Sequence, residues 1–316
     1  MPNDHREIRR FQPPDADESA RLQKASRPVM RYHGGKWRLA DWIMQFFPNH
    51  ETYVEPFGGS ASVLMQKPRS PAEVYNDLDD EIVNVFRVLR NAEQARRLKD
   101  LCALTPYARN EFEAAYEWSD DPVERAKRTI FRAVSGFGSA GATKGRTGFR
   151  SYSRADRSVT PAMDWASYPK VIPAFCERLR GVIIESGDAL DVINRHDAPG
   201  TLFFVDPPYM HETRVAGNRA YRYEMEEHDH LDLLDHLTLV EGFVVISGYL
   251  TDTYDRVLIP AGWRRYSRSS GASGKRGTVM RTECVWINPR CKEGMRQQCI
   301  LDLENYDKPA RRTIPC

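Results

Sequence analysis

LFFVDPPY, residues 202–209, joins an apolar run to an acid, two prolines and an aromatic residue. The apolar residues predict a buried β-strand with Asp206 at its carboxyl tip. In open α/β sheets, ligands bind in the crevice outside the carboxyl ends of the strands. The stretch therefore predicts an α/β fold with a catalytic site at Asp206, Pro207, Pro208 and Tyr209.

The chemistry of this loop suits a planar ring that carries an amino group. Two successive prolines remove two backbone donors, so the loop is a rigid surface of hydrogen-bond acceptors. Asp206 adds a carboxylate and Tyr209 adds an aromatic face for stacking. The exocyclic amine of a nucleobase fits these groups. A proline turn that caps a strand, with Tyr209 as an ordinary core residue, is the alternative.

Strand and helix patterns alternate on both sides of this loop, which predicts a doubly wound, mostly parallel sheet. The predicted strands lie at residues 52–55, 73–77, 182–185, 202–205 and 243–247, with a late hairpin at 263–267 and 282–287. The predicted helices include residues 36–47, 60–67, 82–89, 109–118, 123–137, 189 onward and 228–240.

The strand signals disappear between residues 91 and 173, where helical patterns flank a basic, glycine-rich loop. This change predicts an inserted, mainly helical domain. The predicted organisation is a disordered tail at 1–27, a catalytic domain at 28–90 and 174–289, an insertion at 91–173, and a polar C-terminal tail at 290–316 that frays.

Composition bounds the class of protein. The chain has 316 residues, 41% of them hydrophobic, which is enough for a sizeable core and about two domains. The longest apolar runs are too short to span a membrane and the charged N-terminus lacks a signal-peptide core, so we expect a cytoplasmic protein. Six scattered cysteines without a Cys-x-x-Cys pair argue against zinc and against a disulfide framework.

The net charge of +2 conceals a local cation between Arg125 and Arg157, which contains nine basic residues and one acid. Glycines, arginines and aromatic residues alternate in its centre, a mixture that suits phosphates and bases. A solvated loop is the plainer alternative. A second basic loop, residues 269–277, joins the two late strands and is expected to touch a nucleic-acid backbone. The candidate residues for binding nucleic acid are Lys144, Arg146, Arg150, Lys275 and Arg276.

The first half of the sheet carries features of a cofactor site. Phe57, Gly58 and Gly59 follow the first predicted strand, and Asp77 ends the second, where an acid can bind ribose hydroxyls. The Gly-x-Gly-x-x-Gly pattern of nicotinamide enzymes is absent, so S-adenosylmethionine (SAM) is the better candidate. Upstream, Lys36 at a helix start indicates an anionic partner such as a carboxylate. Taken alone, both glycine turns could be purely structural.

Taken together, the motifs resemble the Dam-type DNA adenine N6-methyltransferases in content and order, from about Val29 to Asn288. Five segments carry the resemblance: Tyr32-His33-Gly34-Gly35-Lys36, Glu55-Pro56-Phe57-Gly58-Gly59, Tyr75-Asn76-Asp77, Gly187-Asp188 and Asp206-Pro207-Pro208-Tyr209. The chain departs from the family at Ala61, where a glycine is frequent, and at His33, where a small residue is usual.

The resemblance implies a SAM-dependent methyltransferase fold, SAM as methyl donor and no metal. It places Tyr32 and Lys36 near the methionine part of SAM, Pro56 to Gly59 beneath it, Asp77 on the ribose and Asp188 near the adenine, and it counts Asp206 among the cofactor-binding residues as well. Asp206 to Tyr209 would hold an adenine flipped out of double-stranded DNA, and the insertion would be the target-recognition domain. We expect a monomer in a bacterial or phage-infected cell, with restriction-modification as one setting.

Two other functions also fit these residues. The enzyme could methylate cytosine N4 or an RNA base, or the chain could be an inactive DNA-binding relative. A separate pattern, the helical spacing of His228, Asp232 and His236, could be taken for a metal site. We interpret it as an exposed polar helix face, because methyl transfer needs no metal.

Overall fold

The computed structural model describes residues 25–138, 141–143, 145–152, 160–214, 221–274 and 277–306. Within them, a seven-stranded sheet has the order β3-β2-β1-β4-β5-β7-β6. β1 to β5 are parallel, whereas β7 runs antiparallel to β5 and β6. The predicted doubly wound, mostly parallel α/β sheet is confirmed. The strands are β1 Thr52–Glu55, β2 Ala72–Asn76, β3 Val182–Glu185, β4 Thr201–Val205, β5 Phe243–Tyr249, β6 Arg264–Gly274 and β7 Gly277–Ile287.

The strand order reverses between β1 and β4, which lie side by side in the middle of the sheet. This switch point opens a crevice at the carboxyl ends of the parallel strands. Glu55 ends β1, and Asp206 immediately follows β4. The fold therefore brings the two segments together although 150 residues separate them in the sequence.

Helices cover both faces of the sheet. Successive residues of a strand point to opposite faces, and Tyr53 and Val54 of β1 accordingly belong to two different apolar clusters. The helices are α1 Ala40–Met44, α2 Asp80–Arg90, α3 Ala92–Leu104, α4 Arg109–Ala114, α5 Pro122–Ser135, α6 Pro161–Ser167, α7 Ile172–Leu179, α8 Ala189–His196, α9 Glu227–Leu239, α10 Asp252–Leu258 and α11 Pro289–Tyr306.

The segment between α2 and α7 is mainly helical where it is described, with an isolated antiparallel bridge between Gly136 and Phe149, and α5 packs along α2. One apolar cluster runs from Phe86 on α2 through Phe131 on α5 to Trp165 on α6. The insertion thus shares its core with the sheet domain. The boundaries of the domains stay a prediction.

The helix predicted at residues 36–47 is confined to Ala40–Met44, because the chain on both sides of it forms three-residue turns, and Lys36 therefore lies four residues before α1. The loop predicted at residues 269–277 is mostly strand, because β6 pairs with β7 as far as Gly274 and Gly277.

Two further expectations fail for identifiable reasons. Residues 60–67 form a series of turns rather than a helix, because Leu64 N donates to the Glu55 carboxylate at 2.7 Å. Residues 289–306 form α11 instead of a frayed tail. Cys291 on α11 is fully buried, and its Sγ contacts the Phe46 carbonyl at 3.0 Å. Most of the predicted N-terminal tail, residues 1–24, lies outside the described residues.

Candidate active site

A cavity of about 290 Å³ lies at the carboxyl ends of the central strands. Its walls bring together ten of the residues that the sequence nominates, from five separate segments. They are Tyr32, Lys36, Pro56, Phe57, Gly58, Gly59, Asp77, Asp188, Asp206 and Pro208. Pro207 and Tyr209 do not line this cavity and are buried beside it.

The glycine turn after β1 lines the cavity, and neighbouring rings leave no room for side chains on its two glycines. A Cβ on Gly58 would overlap the Tyr75 ring, and a Cβ on Gly59 would lie 2.8 Å from Tyr32 Cε1. Gly59 also has φ +49°, a conformation that favours glycine. Its N–H donates to Asp77 Oδ2 at 2.8 Å. The turn and the acid at the end of β2 are therefore fixed to each other.

Asn76 ties three loops together at the same edge. Its Nδ2 donates to the carbonyls of Pro56 at 2.8 Å and of Gly187 at 3.0 Å. In return, Gly187 N donates to Asn76 Oδ1 at 3.0 Å. Asp188 follows directly and begins α8, where its side chain accepts the Leu190 N–H. One buried amide thus positions the loops after β1, β2 and β3.

The cavity is rich in acids. Burial raises the pKa of Asp77 to about 6, although Asp79 N and Gly59 N donate to its carboxylate. Burial likewise raises the pKa of Glu55 to about 7. Asp79, Asp188 and Asp206 also line the walls. Such a wall favours a ligand with net positive charge over one that carries phosphates.

Asp206 is held by two donors on one oxygen. Lys36 Nζ lies 2.9 Å from Asp206 Oδ1, and Ser247 Oγ donates to the same atom at 2.6 Å. Lys36 is 3% exposed and also donates to the Gly34 carbonyl at 2.5 Å. Burial acts to lower the pKa of Lys36, but the Asp206 and Glu283 carboxylates raise it above its ordinary value. The ammonium is therefore charged and neutralises part of the acidic site.

Tyr209 packs behind Asp206 and is 7% exposed. Its hydroxyl donates to Glu283 Oε2 at 3.0 Å, and its ring meets the Tyr249 ring edge-on with centroids 4.6 Å apart. Lys36 Nζ lies 4.6 Å from the centre of the Tyr209 ring. Glu283 therefore fixes the hydroxyl of Tyr209, and Tyr249 and Lys36 fix the position of its ring.

The model of the D12 class N6 adenine-specific DNA methyltransferase family matches residues 32–243. The chain belongs to this family. It is similar to the DNA adenine methylase of Escherichia coli (strain K12), with 23% identity over 220 residues that cover 66% of this chain and 75% of that protein. It is similar to the DNA adenine methylase of Salmonella typhi at 24% identity over 207 residues, 63% and 70% of the two chains.

A crystal structure of a putative RNA methyltransferase from Pyrococcus horikoshii aligns with 86% of this chain and 93% of that one. With 8% identity and a TM-score of 0.34, this likeness does not bear on function. The family match confirms the predicted resemblance and the predicted class of enzyme, an adenine-specific DNA methyltransferase. RNA and cytosine methylation are not favoured.

The structure describes two of the five candidate DNA-binding residues of this methyltransferase, Arg146 and Arg150. Lys144, Lys275 and Arg276 lie outside the described residues. Arg146 is exposed, with its guanidinium 5.5 Å from the Tyr116 ring. Arg150 is turned inward, and its guanidinium donates to the Val134 carbonyl at 2.8 Å and to the Tyr152 hydroxyl at 2.7 Å. All five assignments stay predictions.

No group of three or more histidine, cysteine or acidic side chains within the described ranges could hold a metal ion. His228 and Asp232 are exposed on α9 and His236 is partly exposed. In the described part of the chain, no helix is long and apolar enough to cross a membrane.

The sequence interpretation does not include Ser247 and Glu283, which contact the two ends of the Asp206–Tyr209 loop. Both lie beyond residue 243, where the family match ends. The sequence signal of Ser247 is a polar residue inside an otherwise apolar strand, and many strands at protein surfaces show that pattern. Glu283 follows Arg281 and Thr282, so it does not stand out in its strand.

Proposed function

We propose that this methyltransferase transfers a methyl group from SAM to the exocyclic N6 of an adenine that has been flipped out of double-stranded DNA. The observation that carries the proposal is the position of Asp206. Its carboxylate lines the acidic cavity and, at the same time, begins the acceptor loop. A methyl donor in the cavity and an amine on the loop would meet at this residue.

The charges of the cavity support SAM as the ligand. SAM carries a sulfonium and an ammonium against one carboxylate, and the cavity walls present more carboxylates than the two cations Lys36 and Arg222 can neutralise. Asp77 would accept the ribose hydroxyls, and Asp188 would lie near the adenine. Tyr32 and Lys36 would contact the methionine part above the turn from Pro56 to Gly59. When bound, SAM supplies a methyl group that its sulfonium has already activated.

The residues of the loop would align and stabilise the amine. N6 would become positively charged as its bond to the methyl carbon forms and the bond from that carbon to the sulfur of SAM breaks, which leaves S-adenosylhomocysteine. Asp206 with the Pro207 carbonyl would accept the hydrogens of the amine. Alignment of the nitrogen lone pair is the main contribution of the enzyme, so no covalent enzyme intermediate is required. The amine would then lose its extra proton to solvent by way of these acceptors.

Base flipping is part of the proposal because adenine N6 cannot reach a buried cavity from inside a duplex. Tyr209 would stack on the flipped base. Since only 7% of Tyr209 is exposed, part of the ring must be uncovered when DNA binds. The exposed Arg146, with Lys144, Arg150, Lys275 and Arg276, would contact the DNA backbone, and the enzyme would act as a monomer.

Purified protein, methyl-labelled SAM and genomic DNA without adenine methylation test this function. Mass spectrometry of the digested DNA should show the label in N6-methyladenine. Asp206→Ala should lower the rate on the order of 100- to 1,000-fold, as loss of a transition-state hydrogen bond does. Asp235→Ala, an exposed acid on α9, is the matched control and should keep the wild-type rate.

DNA binding should survive Asp206→Ala, because phosphate contacts dominate affinity for DNA. Label in cytosine or only in RNA would contradict the proposed substrate. An unchanged rate in Asp206→Ala would contradict the proposed site.

A further inference from the structure

Ser247 is a buried hydroxyl where the strand pattern calls for an apolar side chain. Val245, Ser247 and Tyr249 alternate along β5 and so share one face of the sheet. Val245 is fully buried, and Ser247 is 1% exposed. A polar side chain that loses its water in this way must find a hydrogen-bond partner inside the protein.

The sheet register supplies that partner. Val205 of β4 pairs with Ile246 of β5, which places the next residues, Asp206 and Ser247, side by side at the carboxyl edge. Ser247 Oγ donates to Asp206 Oδ1 at 2.6 Å, a short, charge-assisted bond. Within the described residues, no other hydrogen bond of the Ser247 side chain is found. The hydroxyl is thus dedicated to Asp206.

The bond from Ser247 fixes the rotation of the carboxylate. Lys36 Nζ binds the same atom, Oδ1, at 2.9 Å, so both donors occupy one side of the group. A carboxylate has two oxygens and about four lone pairs. The second oxygen, Oδ2, is then the atom that remains to accept hydrogens from a substrate amine.

We propose that Ser247 is a positioning residue that orients the Asp206 carboxylate for the substrate amine. The inference rests on the proposed function and adds to it a residue beyond the family match. Without the hydroxyl, Asp206 would keep its ion pair with Lys36 but could rotate about χ2. Misplacement of a reacting group by about 1 Å costs on the order of 100-fold in rate.

Three substitutions separate the hydrogen bond from packing. Ser247→Ala removes the donor, Ser247→Cys keeps a similar side chain with a weak donor, and Ser247→Thr keeps the hydroxyl. Thr201→Val is the matched control, because Thr201 is also a buried hydroxyl on β4 and donates to the His196 carbonyl at the far end of the strand.

Single-turnover methylation of unmethylated genomic DNA, with enzyme in excess, is the measurement. Ser247→Ala and Ser247→Cys should lose roughly 10- to 100-fold in rate, Ser247→Thr should recover much of it, and Thr201→Val should match the wild type. SAM affinity by calorimetry and DNA affinity should stay at wild-type values in all variants. In an Asp206→Asn background, Ser247→Ala should cause little further loss.

Wild-type rates in Ser247→Ala and Ser247→Cys would overturn the inference while leaving the proposed function intact. The inference also fails if Ser247→Ala weakens SAM affinity without lowering the methylation rate. It fails as well if the rate effects of Ser247→Ala and Asp206→Asn are additive. If Ser247→Ala does not fold, the methylation rate and SAM affinity of Ser247→Cys, whose side chain fills the same space, test the inference instead. An inactive wild-type protein would instead overturn the proposed function itself.

Discussion

Tyr209 shows how single contacts shape the base-binding side of the site. Its hydroxyl donates to Glu283, a carboxylate only 9% exposed, and burial raises the pKa of that acid. The stacking face and the hydroxyl therefore have separable roles. The ring would bind the base, whereas the hydroxyl holds the loop against β7.

Tyr209→Phe separates these roles. It keeps the aromatic ring but leaves the Glu283 carboxylate without its hydroxyl donor, so the free energy of unfolding should fall by about 1–3 kcal/mol. Methylation should persist within roughly tenfold of the wild-type rate, because stacking depends on the ring face. Urea denaturation and a methylation assay check both. Wild-type stability with complete loss of methylation would contradict this division.

Glu55 should make stability depend on pH. Its pKa is about 7 in the folded state, above the ordinary value of 4.5, so folding favours the protonated acid. Its stabilising contribution is complete below the unfolded pKa and is lost as the pH rises through the folded value. Wild-type stability should therefore decline relative to Glu55→Gln between about pH 4.5 and about pH 8 in urea titrations. Parallel curves for the two proteins would contradict the assignment.

Ala61 carries backbone strain where family members often have glycine. Its φ is +52°, and the residue is fully buried. A left-handed conformation costs a non-glycine residue roughly 1–2 kcal/mol. Ala61→Gly should therefore raise the free energy of unfolding by about 1 kcal/mol, less the small loss of one buried methyl. Thermal denaturation checks the sign, and a clear decrease in stability would refute the strain.

Among the secondary-structure elements, local sequence pattern predicts the strands of the sheet better than it predicts residues 60–67 and α11. β3 lies where the sequence places it, because an apolar run bounded by polar residues is a local signal. The helix expected at 60–67 gives way to turns because Leu64 N finds Glu55, nine residues away. The sequence of α11 is polar and gives no sign of ordered packing. The residues that it packs against at Gly294, Pro48 and Phe243, are distant in the sequence, so local pattern could not reveal them.

A buried ion cluster joins β2 to its flanking elements. Glu73 accepts Lys67 Nζ at 2.7 Å and the Arg178 guanidinium of α7 at 2.6 and 2.9 Å. Glu73→Ala would leave two largely buried cations without their partner, and should cost about 3–5 kcal/mol of unfolding free energy. Glu185→Ala, which removes a more exposed pair with Arg195, should cost less than about 1 kcal/mol.

Urea denaturation measures the unfolding free energy of both variants. Equal decreases in Glu73→Ala and Glu185→Ala would show that burial does not set the strength of the Glu73 cluster. No sequence pattern reveals this cluster. Lys67, Glu73 and Arg178 are charged residues that each resemble surface positions until the fold brings them together.

For the whole molecule, most residues that line the cavity can be predicted from the sequence if the central strands are taken to be parallel. The carboxyl ends of parallel strands meet at one edge, so Gly59, Asp77, Asp188 and Asp206 converge although they lie far apart along the chain. Ser247 and Glu283 could not be predicted in this way. Their place beside Asp206 and Tyr209 depends on the register of β5 with β4 and on the antiparallel pairing of β7.

The central claim is that Asp206 presents an adenine amine to a methyl donor in the adjoining cavity. Expression of the wild-type chain in cells without adenine methylation, followed by single-molecule sequencing of their DNA, tests it most directly. We predict N6-methyladenine at a fixed short motif with the wild type, and a far smaller modified fraction of that motif with Asp206→Ala at equal protein levels. Unmodified adenine in wild-type cells, with new methyl groups in cytosine or in RNA, would contradict the account.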